Sequence, residues 1–73
     1  MREQTRKNLD LRLSLIDDAE DEMAVRFSRT ALRGYIDALY DEERLSPAEV
    51  DRERDEAERR GNARLAFLAA TEN

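Results

Sequence analysis

The stretch KNLDLRLSL, residues 7–15, decides how the chain folds, because a leucine stands at every second position within it. The positions between the leucines are polar. A period of two is typical of a half-buried β-strand, whose side chains alternate between the two faces of a sheet. The sequence therefore predicts a short strand over residues 8–14.

The same leucines also permit a helix. Leu9, Leu13 and Ile16 are spaced as they would be on one helical face. A helix would, however, turn Leu11 and Leu15 to a different flank and widen the apolar surface. That consequence favours the strand.

The composition limits how much core the chain can bury. Of its 73 residues, 42% are charged and 5% are aromatic, and none is cysteine or histidine. A chain of this length usually needs disulfides, a metal or a partner to be stable. Disulfides and the usual zinc sites are excluded by the residue types. We therefore expect an obligate homodimer with no cofactor and no metal.

Two amphipathic helices are predicted after the strand. On one continuous helix, Phe27 and Leu32 would lie about 140° apart, so two apolar faces would point in different directions. A break near residues 28–30 lets both faces meet one core, although no glycine or proline marks the turn. The two stripes consist of Ile16, Ala19, Met23 and Phe27, and of Leu32, Tyr35, Ile36, Leu39 and Tyr40.

A third helix is predicted to begin at SPAE, residues 46–49. This segment offers an N-cap serine, a proline in the first helical position and a capping-box glutamate. The helix is expected to end near Arg60, because Gly61 and Asn62 are typical of a helix stop. Only Val50 and Ala57 are apolar at helical spacing before that point, which predicts a largely solvated helix.

A lone strand leaves its backbone N–H and C=O groups unpaired. No convincing second strand is present in the chain, so we expect the same strand of a second copy to pair with it, antiparallel about a two-fold axis. The expected dimer core consists of Leu9, Leu11, Leu13, Leu32, Ile36 and Leu39.

The order strand, helix, short turn, helix resembles the ribbon-helix-helix family of small DNA-binding repressors and antitoxins. The resemblance spans about residues 8–41 and rests on NLDLRLS and on SRTALRGYIDALYDE. It implies a mostly α fold with one short N-terminal β-strand, that is, a ribbon-helix-helix homodimer with an extra C-terminal helix. It also implies base contacts by Asn8, Asp10 and Arg12, and phosphate contacts by Ser28, Arg29 and Thr30.

Three regions are expected. Residues 1–7 form a flexible basic N-terminus, residues 8–44 form the strand-helix-helix dimerisation and DNA-binding domain, and residues 45–73 form a helical arm. The arm combines a charged helix with a small apolar cluster, a combination suited either to binding a protein partner such as a toxin or to packing back on its own dimer. Its expected contact residues are Val50, Leu65, Phe67 and Leu68.

The leading functional hypothesis is therefore a dimeric, sequence-specific repressor that binds operator DNA, with the antitoxin of a toxin–antitoxin pair as its more specific form. One alternative is a small acidic inhibitor of another protein, because the acids of residues 17–22 could mimic a nucleic acid. A further alternative is a helical assembly subunit without DNA binding. Catalysis is not expected, since histidine, cysteine and a phosphate-binding glycine loop are missing. A cytoplasmic location without membrane contact is expected, because no apolar run is long enough to span a bilayer.

Overall fold

The computed structural model describes residues 1–71, and these residues form three α-helices and no strand. Helix α1 spans Glu3–Asp17, α2 spans Glu22–Asp41 and α3 spans Pro47–Thr71. The two connections are short, so α1 and α2 form an antiparallel hairpin and α3 packs against both of its helices. None of the described helices is long and apolar enough to cross a membrane.

The predicted strand over residues 8–14 is wrong, and the ribbon-helix-helix fold is wrong with it, because these residues lie inside α1. The stretch contains no β-branched residue, and leucine and arginine are good helix formers. Leu9 and Leu13 are buried, whereas Leu11 and Leu15 are 63% and 53% exposed. The period of two therefore arises from two apolar faces on one helix.

The predicted break near residues 28–30 is also wrong, since α2 is continuous through this segment. Leu32 and Ile36 are buried, but Met23 and Phe27 are 79% and 75% exposed and do not belong to the core. The turn occurs earlier, at residues 18–21. There the side chain of Asp21 caps α2 by accepting a hydrogen bond of 2.7 Å from the backbone N–H of Ala24.

The start of α3 confirms the predicted capping box. The backbone N–H of Ser46 donates to Glu49 Oε1 at 2.9 Å, and the N–H of Glu49 donates back to Ser46 Oγ at 3.1 Å. The predicted end near Arg60 is wrong, because α3 continues to Thr71. Gly61 is buried inside this helix, and its missing side chain makes room for Arg29 of α2, whose Cδ would lie 3.1 Å from an added Cβ.

The connection from α2 to α3 closes the last turn of α2 with two backbone hydrogen bonds. The N–H of Arg44 donates to the carbonyl of Leu39 at 2.8 Å, and the N–H of Glu43 donates to the carbonyl of Tyr40 at 3.0 Å. This pattern is a Schellman motif, which places one residue in the left-handed region. That residue is Glu43, with φ of 59°.

One core forms within a single chain. Helix α3 contributes to it through Val50, Ala57 and the partly buried Leu65 and Leu68. Most of its other residues are exposed, as the sequence predicts. Five of the six residues expected in a dimer core are buried inside this one chain, and only Leu11 is exposed. The buried hydrophobic residues are Leu9, Leu13, Ile16, Ala19, Val25, Leu32, Ile36, Leu39, Leu45, Val50 and Ala57.

Candidate protein-binding surface

The residues expected to contact DNA bases do not form a row. Asn8, Asp10 and Arg12 all lie on α1, where two successive members are about 200° apart around the helix axis. Asn8 Oδ1 accepts a hydrogen bond of 3.1 Å from the amide of Gln4. The guanidinium of Arg12 stacks 4.0 Å from the ring centroid of Tyr35 on α2. The arrangement therefore differs from the outward edge of a strand.

The residues expected to hold phosphate lie in the middle of α2. The backbone N–H groups of Ser28, Arg29 and Thr30 are therefore inside the helical hydrogen-bond ladder rather than at a helix start. Arg29 faces α3, where Nη1 lies 3.5 Å from Glu58 Oε1 and the side chain packs over Gly61. The structure places no free helix N-terminus at this point of the chain.

The residues expected in the partner-binding arm are divided between core and surface. Val50 is buried, and Leu65 and Leu68 pack against the core. Phe67 is 49% exposed, and the guanidinium of Arg64 stacks 4.7 Å from its ring centroid. The four side chains therefore do not form one exposed cluster.

The acidic segment at residues 17–22 is largely occupied by contacts within the chain. Asp17 Oδ2 lies 3.1 Å from the guanidinium of an arginine on α3. Asp21 is the N-cap of α2, and Glu22 pairs at 2.7 Å with an arginine one turn further along the same helix. Three of the five acids in this segment thus have intramolecular partners.

One surface cleft includes the helix cap of α3. It has a volume of about 700 Å³ and lies between the chain start and the connection from α2 to α3. Among its lining residues, Ser46 and Glu49 are bonded to each other in the capping box. The cleft therefore offers an assembled helix cap rather than a catalytic arrangement.

Four large apolar side chains are exposed outside all of these features. Leu11 and Leu15 are one turn apart on α1, and Met23 and Phe27 are one turn apart on α2. Each is more than half exposed. Together with three small residues on α2 they form a surface that we call the outer face. It consists of Leu11, Leu15, Met23, Phe27, Ala31, Gly34 and Ala38.

The outer face lies on the side of the hairpin opposite α3. On α1, the flank that meets α3 is marked by Arg6, which bonds Glu53 of α3. On α2, the same flank is marked by Arg29. At 100° per residue, Leu11 lies about 140° from Arg6, and Phe27 lies about 160° from Arg29. Both apolar stripes therefore point away from α3.

The small residues make a shallow notch in this surface. Gly34 is exposed, and a Cβ built on it would meet nothing within 4 Å. Ala31 and Ala38 lie on either side of it along the helix, and both are exposed. Phe27 precedes Gly34 by seven residues, which is two helical turns, so the large ring and the notch lie on the same stripe.

Sequence reasoning missed this surface, although its signal was present. The alternation that predicts a strand comes from the second stripe of α1, and the apolar positions that predict a break come from the second stripe of α2. A helix with two apolar faces explains both patterns, provided that one face meets the core and the other stays accessible.

Comparison of the chain with protein-family models, with curated proteins and with solved structures found no match. The assignment of a function therefore depends on the surface of the chain itself.

Proposed function

We propose that this chain is a small helical assembly subunit that binds another protein through the outer face, without a role in DNA binding or catalysis. The observation that supports it is the exposure of Met23 and Phe27, at 79% and 75%, beside Leu11 and Leu15. The groove-reading hypothesis depended on a strand over residues 8–14, and α1 occupies that segment.

The energetics favour an occupant for this surface. Full burial of a leucine, methionine or phenylalanine side chain is worth about 1.5–3 kcal/mol relative to leaving it exposed. Scattered single apolar residues on a surface need no explanation, but a contiguous patch marks an interaction site. In a chain with 42% charged residues, four such side chains on the side of the hairpin opposite α3 are more than scattered single residues.

The acidic inhibitor is less well supported than the assembly subunit. A nucleic-acid mimic needs a row of free carboxylates, and three of the five acids at residues 17–22 bond to groups of the same chain. Asp18 and Glu20 remain exposed there, and two carboxylates make a weak imitation of a phosphate backbone. The proposed location, the cytoplasm, is supported by composition alone.

Site-specific photocrosslinking in cells tests the proposed function. A photoreactive phenylalanine analogue at position 27 is expected to form a discrete covalent product with a protein. The same analogue at position 67 is the matched control, because Phe67 is also exposed, at 49%, but lies on α3, outside the outer face. A discrete product from position 67 with none from position 27 would contradict the proposed function.

A further inference from the structure

We infer that the protein bound by the outer face is a second copy of this chain, and that the two α2 helices pack antiparallel about a two-fold axis. This inference rests on the proposed function and specifies its partner. It does not require the strand ribbon, and it keeps the whole core inside each copy.

The shape of α2 is complementary to itself in one antiparallel register. When Phe27 of one copy lies opposite Gly34 of the second copy, the phenylalanine ring enters the notch at Gly34. There is space for it, because no atom of the chain lies within 4 Å of a Cβ added to Gly34. The same register sets Met23 opposite Ala38. Because the interface is two-fold symmetric, each match of a large residue with a small one occurs twice.

A parallel pair of α2 helices lacks this fit. It would set Phe27 against Phe27 and Gly34 against Gly34, leaving a clash at one level and a void at the other. The antiparallel arrangement also brings opposite ends of the two helix dipoles together.

The spacing of alanine on α2 permits close approach of the two backbones. Ala24, Ala31 and Ala38 recur every seven residues, and the last two are exposed on the outer face. Packed helices lie about 8–10 Å apart depending on the side chains between them, and small residues give the lower values. A large side chain such as Phe27 can then reach the backbone of the opposite helix.

Charge on the flank of α2 is compatible with the same register. Arg26 and Asp37 lie about 20° apart around the helix, on one side of the apolar stripe. In the antiparallel pair, Arg26 of one copy lies about two residues, or roughly 3 Å along the axis, from the level of Asp37 of the second copy. Within its own chain Arg26 bonds Glu22 and Asp37 bonds Arg54 of α3, so the seam is bordered by side chains of both signs that already have partners.

The exposed apolar area corresponds to a weak, reversible dimer. Four side chains that each present on the order of 100 Å² give about 800 Å² for two copies, which is below the roughly 1,200 Å² of a standard interface and in the range of weak, transient contacts. Since the core is complete within one chain, each copy stays folded when the dimer dissociates.

Disulfide formation tests the register, because the natural chain has no cysteine. Ala31→Cys places a thiol near the two-fold axis while keeping Phe27 and Gly34, and we expect rapid oxidation to a covalent dimer. Asp55→Cys on α3 is the matched control and is expected to stay monomeric. The antiparallel α2 register is wrong if the control oxidises as fast as Ala31→Cys. It is also wrong if Leu11→Cys and Phe27→Cys form the disulfide between copies, because that bond would place α2 over α1 of the second copy.

A size swap separates a packing role from a folding role. Gly34→Leu fills the notch without touching its own chain, so we expect at least a tenfold weaker dimer and an unchanged fold by circular dichroism. The double variant Phe27→Ala with Gly34→Phe exchanges large and small positions and is expected to restore association. Wild-type association of Gly34→Leu, or failure of the swap to restore it, would overturn the inference. A photocrosslinked product between position 27 and a different protein would still support the proposed function. It would overturn only the inference that the partner is a second copy of this chain.

Discussion

The guanidinium of Arg6 on α1 donates a hydrogen bond of 2.7 Å to Oε1 of Glu53 on α3. Glu53 is only 3% exposed. Hydrogen bonding to Glu53 is the main cause that raises the pKa of Arg6 above its ordinary value, with a further contribution from Asp10. The pair joins the first and third helices at a point where an unpaired carboxylate would be buried. It therefore fixes how α3 sits on the hairpin.

Removing Arg6 should cost more than removing its partner. Arg6→Ala leaves the buried carboxylate of Glu53 with only Arg52, whose Nε lies 3.5 Å away. Because the Arg6 side chain is 36% exposed, we expect a loss of about 1–3 kcal/mol in the free energy of unfolding, below the range for a fully buried pair. Glu53→Ala should cost less, and the double variant should cost less than the sum. Denaturant unfolding of the four proteins measures the coupling.

The exposed pair Glu22 and Arg26 is the matched control for this cycle. Its members are one turn apart on α2 and 66% and 62% exposed, so its coupling should be only a few tenths of a kcal/mol. Equal coupling for the two pairs would contradict the structural role assigned to Glu53.

Replacing Glu43 by glycine should stabilise the fold. Glu43 adopts φ of 59° in the Schellman turn, a conformation that costs a residue with a Cβ roughly 1 kcal/mol relative to glycine. For a domain of this length, a gain of that size raises Tm by about 4–8 °C. Glu42→Gly is the control, because Glu42 has φ of −86° and should lose stability instead. A decrease in Tm for Glu43→Gly would show that the turn is not formed as described.

Substitution by alanine should change the stability of the fold differently at Gly34 and at Gly61. Gly34→Ala meets nothing within 4 Å, so at protein concentrations too low for association it should gain about 1 kcal/mol in helix stability. Gly61→Ala should gain less, because its Cβ would lie 3.1 Å from Arg29 Cδ and displace that side chain. Thermal unfolding of both variants checks the order, and a larger gain at position 61 would contradict the close packing of α2 on α3.

Acidification should weaken the fold through Glu49. The N–H of Ser46 is the main cause that lowers the pKa of Glu49 below its usual 4.5, with smaller help from the chain-terminal ammonium. A lowered folded pKa means that the ionised form contributes stability above pH 4.5, and that this contribution is lost as the pH falls through the folded pKa. Arg59 and Arg60 lower the pKa of Glu56 in the same direction.

Thermal unfolding between pH 7 and pH 2 measures this loss. Glu49→Gln keeps an oxygen that can accept from Ser46 but cannot titrate, so its Tm should fall less steeply with pH than that of the natural chain. Identical slopes for the two proteins would contradict a contribution from the ionised capping box.

The sequence is informative where one local rule acts alone. SPAE predicted the start of α3 correctly, because serine, proline and glutamate each favour that position independently of the rest of the fold. Gly61 was misleading, since glycine at a helix stop and glycine at a close helix contact look the same in sequence. The difference depends on Arg29, which is distant in the chain.

The two larger errors have a common physical cause. Leu11 and Leu15 made α1 look like a strand, and Met23 and Phe27 made α2 look broken, because a helix was expected to have one apolar face. These four residues are the ones that the monomer leaves exposed. The positions at which the sequence conflicts with the isolated fold are therefore the positions that form the outer face.

Sedimentation equilibrium over a wide range of protein concentration tests this account most directly. The natural chain should move from its monomer mass of 8.5 kDa toward twice that value as concentration rises, and Phe67→Asp should behave in the same way. Phe27→Asp should remain monomeric while keeping its helical circular dichroism. A natural chain that stays monomeric at millimolar concentration, or a Phe27→Asp variant that dimerises as readily as the natural chain, would contradict a second copy on the outer face.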